Sequence, residues 1–232
     1  VIRGRHVAVR NRHAADLIGL LLGGILISGV VAIQQHPPAY RVPASVGEVP
    51  LAHSASANST PRVAHVLPPL PVPGRLRLAA ARGPSLPLSL TIPSQGVGGA
   101  VVPVGYDRRT GELGVPGDPL TLGWWDDSAL PGSRSGTVVM AGHVDTQTGG
   151  KGVLFNLEQI APGQRVEVLT SRGVVTYQVA ARHTYVKSDL PADVFDQSGR
   201  ARLVLITCGG PFDARTHHYA YNIVVYALPL SS

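Results

Sequence analysis

Cys208, the single cysteine of the chain, and His143, one of nine histidines, are the two side chains whose types could do covalent chemistry together. A thiol attacks only as thiolate, and free cysteine, with a pKa of about 8.5, is mostly protonated at neutral pH. An imidazole beside it either removes that proton or, once protonated, stabilises the thiolate. Cys208 follows Leu203-Val204-Leu205-Ile206-Thr207 and precedes Gly209-Gly210, and His143 follows Val138-Val139-Met140-Ala141-Gly142. Both apolar runs read as buried strands, so each residue stands at a strand end, a rigid mount for a reacting group. The two glycines keep side chains away from an arriving carbonyl. They also suit a sharp turn, or a pair of N–H groups facing an oxyanion. Spacing alone leaves a plainer reading open, in which Cys208 is a small buried hydrophobe and His143 is incidental. A lone cysteine has no internal disulfide partner, so its use is packing, intermolecular pairing or chemistry.

The elements that must position this pair are short. Leu88 to Ile92, Gly99 to Tyr106, Leu113 to Pro116, Thr137 to Val144, Arg165 to Thr170, Val174 to Val186, Arg202 to Cys208 and Tyr219 to Leu228 read as strands separated by Gly, Pro and Asp. Arg165-Val166-Glu167-Val168-Leu169-Thr170 alternates polar and apolar, as a half-buried strand does. Ser171-Arg172-Gly173 supplies a short hairpin loop after it. Pro191 to Phe195 is the stretch that resembles a helical turn, with proline at its start. Short strands at regular intervals indicate an all-β sandwich or barrel.

At 232 residues the chain has room for one ordinary domain plus appendages. The net charge of +6 is unevenly spread: residues 1–83 hold nine Lys/Arg against Asp16 and Glu48, whereas residues 84–232 hold eleven against twelve acids. A nearly neutral domain with a basic tail is not the footprint of a nucleic-acid binder. Arg3, Arg5, Arg10 and Arg12 lie in a basic tail, residues 1–16, before an uncharged run of seventeen residues, Leu17 to Ile33. That length is short but adequate for a membrane span, and the arginines place the preceding end in the cytoplasm. A cleaved signal peptide is the rival, since Val30-Val31-Ala32 resembles a small-residue cleavage site. Either way the remainder is exported. Residues 34–84, rich in Pro, Ala, Ser and Val with Pro37-Pro38 and Pro68-Pro69, read as an extended tether. Residues 85–232 form the folded domain.

Three stretches carry a family resemblance. Ala141-Gly142-His143-Val144-Asp145, then Gly152-Val153-Leu154-Phe155 with Leu157, then Leu205 to Asp213 through Thr207-Cys208-Gly209-Gly210, are similar to sortases. The Thr-Cys-Gly-Gly form and the closing Asn222-Ile223-Val224-Val225-Tyr226-Ala227 resemble the class F type of actinobacteria, as do Ile92-Pro93, Val101-Val102-Pro103-Val104-Gly105 and Gly123-Trp124-Trp125. The resemblance implies a closed eight-stranded barrel outside a Gram-positive cytoplasmic membrane. It also implies a cysteine transpeptidase that cuts an LPXTG-type sorting signal between Thr and Gly and joins the new carboxyl end to an amine on a cell-wall precursor or pilin. Carried onto this chain, Cys208 is the nucleophile and His143 the acid that protonates the departing amine. No metal or organic cofactor is implied, and the sequence has no metal-ligand spacing.

The third family residue is an arginine near the start of the last strand, whose charge stabilises an oxyanion or orients the substrate. Class F members carry it close to where Ala220 stands here, and Arg215 is the sole arginine after Cys208. Arg215 is therefore the candidate third residue, with His217 or His218 as weaker substitutes and an impaired oxyanion site as the alternative. Asp145, two positions after His143, could orient the imidazole or simply form a turn. Trp124 and Trp125, with Asp126 and Asp127, could line a peptide groove, or the indoles could fill the core. Thr207 either fixes the cysteine's backbone or is an ordinary β-branched strand residue. The rival function is a sortase-like barrel that binds wall components or sorting peptides without efficient turnover. An L,D-transpeptidase fits poorly, because Ile206-Thr207-Cys208-Gly209 does not match its Ser-His-Gly-Cys-like motif.

Overall fold

The strands run in the order β1 (Val46–Gly47), β2 (Pro87–Ile92), β3 (Val97–Val104), β4 (Tyr106–Asp107), β5 (Glu112–Leu113), β6 (Thr121–Trp125), β7 (Thr137–Ala141), β8 (Arg165–Thr170), β9 (Gly173–Val186), β10 (Arg202–Asp213) and β11 (His218–Pro229). The computed structural model describes residues 41–50, 83–107, 109, 112–146 and 150–230. The tail and membrane span expected at 1–16 and 17–33, and most of the tether, lie outside the described residues. Among the described residues the helices are single 3-10 turns, and none is long and apolar enough to cross a membrane.

The sheet order β9-β11-β10-β7-β6-β3-β2-β8 closes on itself through the β8–β9 hairpin, giving an eight-stranded barrel, and β1 adds to the free edge of β9. β6 lies outside the strands that the sequence predicts. Its five residues, Thr-Leu-Gly-Trp-Trp, show no alternation because the middle three are all buried; β6 runs parallel to β3 and antiparallel to β7. The strand expected over Leu113 to Pro116 is only the two-residue β5, paired with β4 in a separate small hairpin.

β10 explains the aliphatic run that leads to the cysteine. Leu203 and Leu205 point into the barrel with Leu90, Leu122, Met140 and Ile223. Val204 and Ile206 point outward, into a second cluster with Val139, Ala141, Val194 and Tyr226. β7 beside it is buried at all five positions and runs parallel to it. Strands covered on both faces read as continuous apolar runs rather than alternating ones. At roughly 1.5–3 kcal/mol for each fully buried aliphatic side chain, these two strands are firmly fixed in the fold.

The outer cluster is covered by Val49, Leu190 and Phe195, and buried arginines hold that cover in place. Arg202 has no exposed side-chain surface. Its Nε donates to Thr137 Oγ1 at 3.0 Å and its Nη1 to Pro50 O at 2.9 Å, with Nη1 also 3.3 Å from Asp193 Oδ2. Nη2 donates to Asp193 O, and the guanidinium lies over the Tyr226 ring. Arg182 donates to Ile160 O and Ala44 O at 2.9 and 2.8 Å. Residues 41–50, part of the stretch expected to be tether, thus lie along the barrel. Arg202→Ala leaves those carbonyls without donors and is expected to cost about 3 kcal/mol. The check is a lower urea midpoint, together with faster amide exchange at Val46 and Gly47.

Candidate active site

The register of the parallel pair β7–β10 decides where His143 and Cys208 meet. Met140 lies beside Leu205 and Ala141 beside Ile206. The next step continues the ladder, with Gly142 N donating to Ile206 O at 3.1 Å and Thr207 Oγ1 donating to Gly142 O at 2.8 Å. His143 therefore leaves β7 level with Cys208, at the same end of adjacent strands that lie roughly 4.8 Å apart. Cys208 shares the outer face of β10 with Val204 and Ile206, and the residue is partly buried. The strand does not stop there. β10 runs on to Asp213, and Cys208 sits within it, paired with Asn222 of β11. Thr207, whose role the sequence left undecided, pins the backbone beside the thiol to the backbone before the imidazole.

The imidazole is oriented from a different loop. His143 Nε2 lies 2.8 Å from the carbonyl oxygen of Pro116. A carbonyl only accepts, so Nε2 carries hydrogen and Nδ1 is left as the basic nitrogen. Nothing in the sequence marked Pro116, because a main-chain acceptor has no side-chain signature.

Gly210 has φ +89°, and a bulge falls between Gly209 and Phe212. A β-carbon at Gly210 would come within 2.2 Å of the Tyr221 ring. Backbone conformation and close approach both demand glycine here. At Gly152 a β-carbon would lie 2.2 Å from His143 O, so the motif glycine of the second stretch lets the chain pass directly behind the histidine.

Arg215 is placed otherwise than the pair. It is exposed in the turn that joins β10 to β11, where its backbone N–H donates to Asp213 Oδ1 at 2.8 Å. Ala220 is also exposed. From this placement Arg215→Ala is expected to change kcat/KM for peptide cleavage by less than about threefold, since an exposed charge is screened by solvent. A hundredfold fall would instead return Arg215 to the oxyanion.

Asp145 lies two residues beyond His143, yet its carboxylate accepts a short hydrogen bond from the Tyr219 hydroxyl of β11. Desolvation, that bond and the neighbouring charges of Asp145 and Cys208 push the Tyr219 phenol up to about 12. Sequence reading did not single out Tyr219, and only its contacts across strands reveal it. The tryptophans divide between the two cores. Trp124 joins the barrel interior and its Nε1 donates to Ala129 O at 3.3 Å. Trp125 packs in the outer cluster, edge-on to Phe195 with ring centroids 5.7 Å apart. Asp126 and Asp127 are exposed.

A closed eight-stranded β-barrel in which an imidazole just past the end of β7 stands level with a thiol within the parallel neighbour β10 is the arrangement to be matched with known proteins. A sortase-domain family model matches residues 90–230, more than half of the chain, and the chain belongs to the sortase family. The fold is similar to that of sortase C1 of Streptococcus agalactiae in complex with MTSET (18% identity, 62% of this chain and 68% of that one, TM-score 0.49). It is likewise similar to a lid mutant of sortase A from Corynebacterium diphtheriae (19% identity, 66% and 73%, TM-score 0.49). A third similar structure is sortase C-1 of Actinomyces oris (23% identity, 62% and 73%, TM-score 0.47). Among curated proteins none matches the chain. Membership of the family supports a sortase-type cysteine transpeptidase, and this chain has one cysteine to serve it.

Proposed function

We propose that this sortase is of the class F type and acts outside a Gram-positive cytoplasmic membrane, anchored through residues 17–33. It cleaves LPXTG-type sorting signals between Thr and Gly and joins the threonyl carboxyl to an amine of a cell-wall precursor or a pilin. The observation that carries the proposal is the level placement of His143 and Cys208 on adjacent parallel strands, pinned by the Thr207–Gly142 hydrogen bond.

The chemistry balances with these two groups. The Cys208 thiolate attacks the threonyl carbonyl carbon and the C–O π bond opens to an oxyanion. As the carbonyl re-forms, the C–N bond breaks, and the His143 imidazolium gives its proton to the departing glycine amine. The result is a thioester on Cys208. The acceptor amine then attacks the same carbon, passes a proton to His143, and expels the thiolate. With Nε2 held by Pro116 O, the exchanged proton belongs on Nδ1.

The test is mass spectrometry of the full chain, purified in detergent and incubated with an LPXTG peptide and a glycine-based amine. A peptide adduct on Cys208 that disappears when the amine is added is expected. Peptide bound without any adduct or product would favour the rival, a barrel that holds sorting peptides without turning them over. The alanine at position 220 and the exposed place of Arg215 are the observations that keep this rival in view.

A further inference from the structure

We propose, resting on the transpeptidase reading above, that Tyr219 and Asp145 are positioning residues. Their hydrogen bond ties the loop that carries His143 to the strand hairpin that carries Cys208.

The need for such a tie follows from where the sheet ends. The ladder between β7 and β10 finishes at Gly142, and His143 stands just beyond it. From there the chain closes on itself. Leu154 N donates to His143 O, Gly152 N to Val144 O and Thr146 N to Gly150 O, and Asp145 bridges Lys151. The loop is rooted in the core at both ends, at Gly142 and at Val153–Leu154, and Pro116 O holds Nε2; these bonds tie His143 to the barrel but do not reach β11.

Tyr219 supplies a fixed point outside the loop. It belongs to β11, next to the bulge that follows Gly209, and pairs with Phe212, whose ring centroid lies 5.1 Å from its own. Its hydroxyl reaches Asp145, on the loop that carries His143, from the strand that pairs with Cys208's own. One bond therefore spans from the histidine loop to the cysteine hairpin beside the reacting groups. The carboxylate is met by a neutral donor, and Lys151, which faces Asp145 in a backbone β-bridge, holds its ammonium over the Phe155 ring at 4.6 Å. Orientation rather than charge neutralisation is what this arrangement provides. A phenol held near 12 also keeps its proton, and hence the bond, at pH values where a free tyrosine at about 10 has begun to ionise. Displacing a catalytic group by about 1 Å can cost roughly 100-fold, which sets the scale of the effect.

The test uses the full chain in detergent with an LPXTG peptide and compares Tyr219→Phe, Asp145→Ala, Asp145→Asn and the Tyr219→Phe/Asp145→Ala double variant. Tyr219→Phe and Asp145→Ala are each expected to lower kcat by about 10- to 100-fold with KM little changed, and the double variant to be no slower than the worse single one. Asp145→Asn, which keeps an oxygen acceptor for the phenol, is expected to recover most of kcat. Wild-type kcat in Tyr219→Phe overturns the proposal, as does an Asp145→Asn enzyme as slow as Asp145→Ala. In both of those cases an inactive Cys208→Ala leaves the transpeptidase reading intact. Cleavage by Cys208→Ala would instead remove that reading, and this one with it.

Discussion

Cys208→Ala is expected to abolish peptide cleavage, with a fall of at least about 10,000-fold in kcat/KM, or about 5.5 kcal/mol of transition-state stabilisation. The size of the effect follows from the place of the sulfur. It is the sole thiol of the chain, partly buried on the outer face of β10, beyond an apolar cluster that includes Val204 and Ile206. The fold should be unaffected, because the hydrogen bonds that set the local backbone come from Thr207 and Gly142 rather than from sulfur. The measurement is product formation from an LPXTG peptide beside the thermal midpoint. An inactive variant with an unchanged midpoint is the expected pair of results. Residual turnover within tenfold of wild type would mean that the thioester route is wrong.

His143→Ala is expected to cost about 100- to 10,000-fold, the range for removing a general acid. Loss of the imidazole leaves the glycine amine to depart without a proton donor, and leaves the thiol without its base. The thioester should then fail to accumulate rather than accumulate and stall. Added free imidazole is expected to restore a small part of the rate, because it supplies the lost acid and base in solution. Undiminished adduct formation in this variant would assign the proton to another group.

Much of the fold was legible because it is built from local signals. The alternation in Arg165 to Thr170 and the hairpin loop after it are realised in β8 and the start of β9, since period-two burial and turn chemistry act over a few residues. The strand β6 escaped notice for the opposite reason. Buried on both faces, it carries no alternation, and its pairing with β3 and β7 is non-local. The reach of β10 past Cys208 was likewise hidden, because a bulge at Gly209 and Gly210 disguises a strand as a turn.

For the site, residue types and motif spacing singled out His143 and Cys208 and the family they resemble, since those chemistries belong to particular side chains. Arg215 stands out in the sequence as the sole arginine after Cys208, but its place in an exposed turn is set by the β10–β11 hairpin. The acceptor at Pro116, the Thr207 pin and the Tyr219–Asp145 bond were decided by tertiary structure alone. Each is a contact between residues at least 27 positions apart, made through a backbone atom or an unremarkable polar side chain. Such contacts depend on strand order and register, which no window of sequence contains.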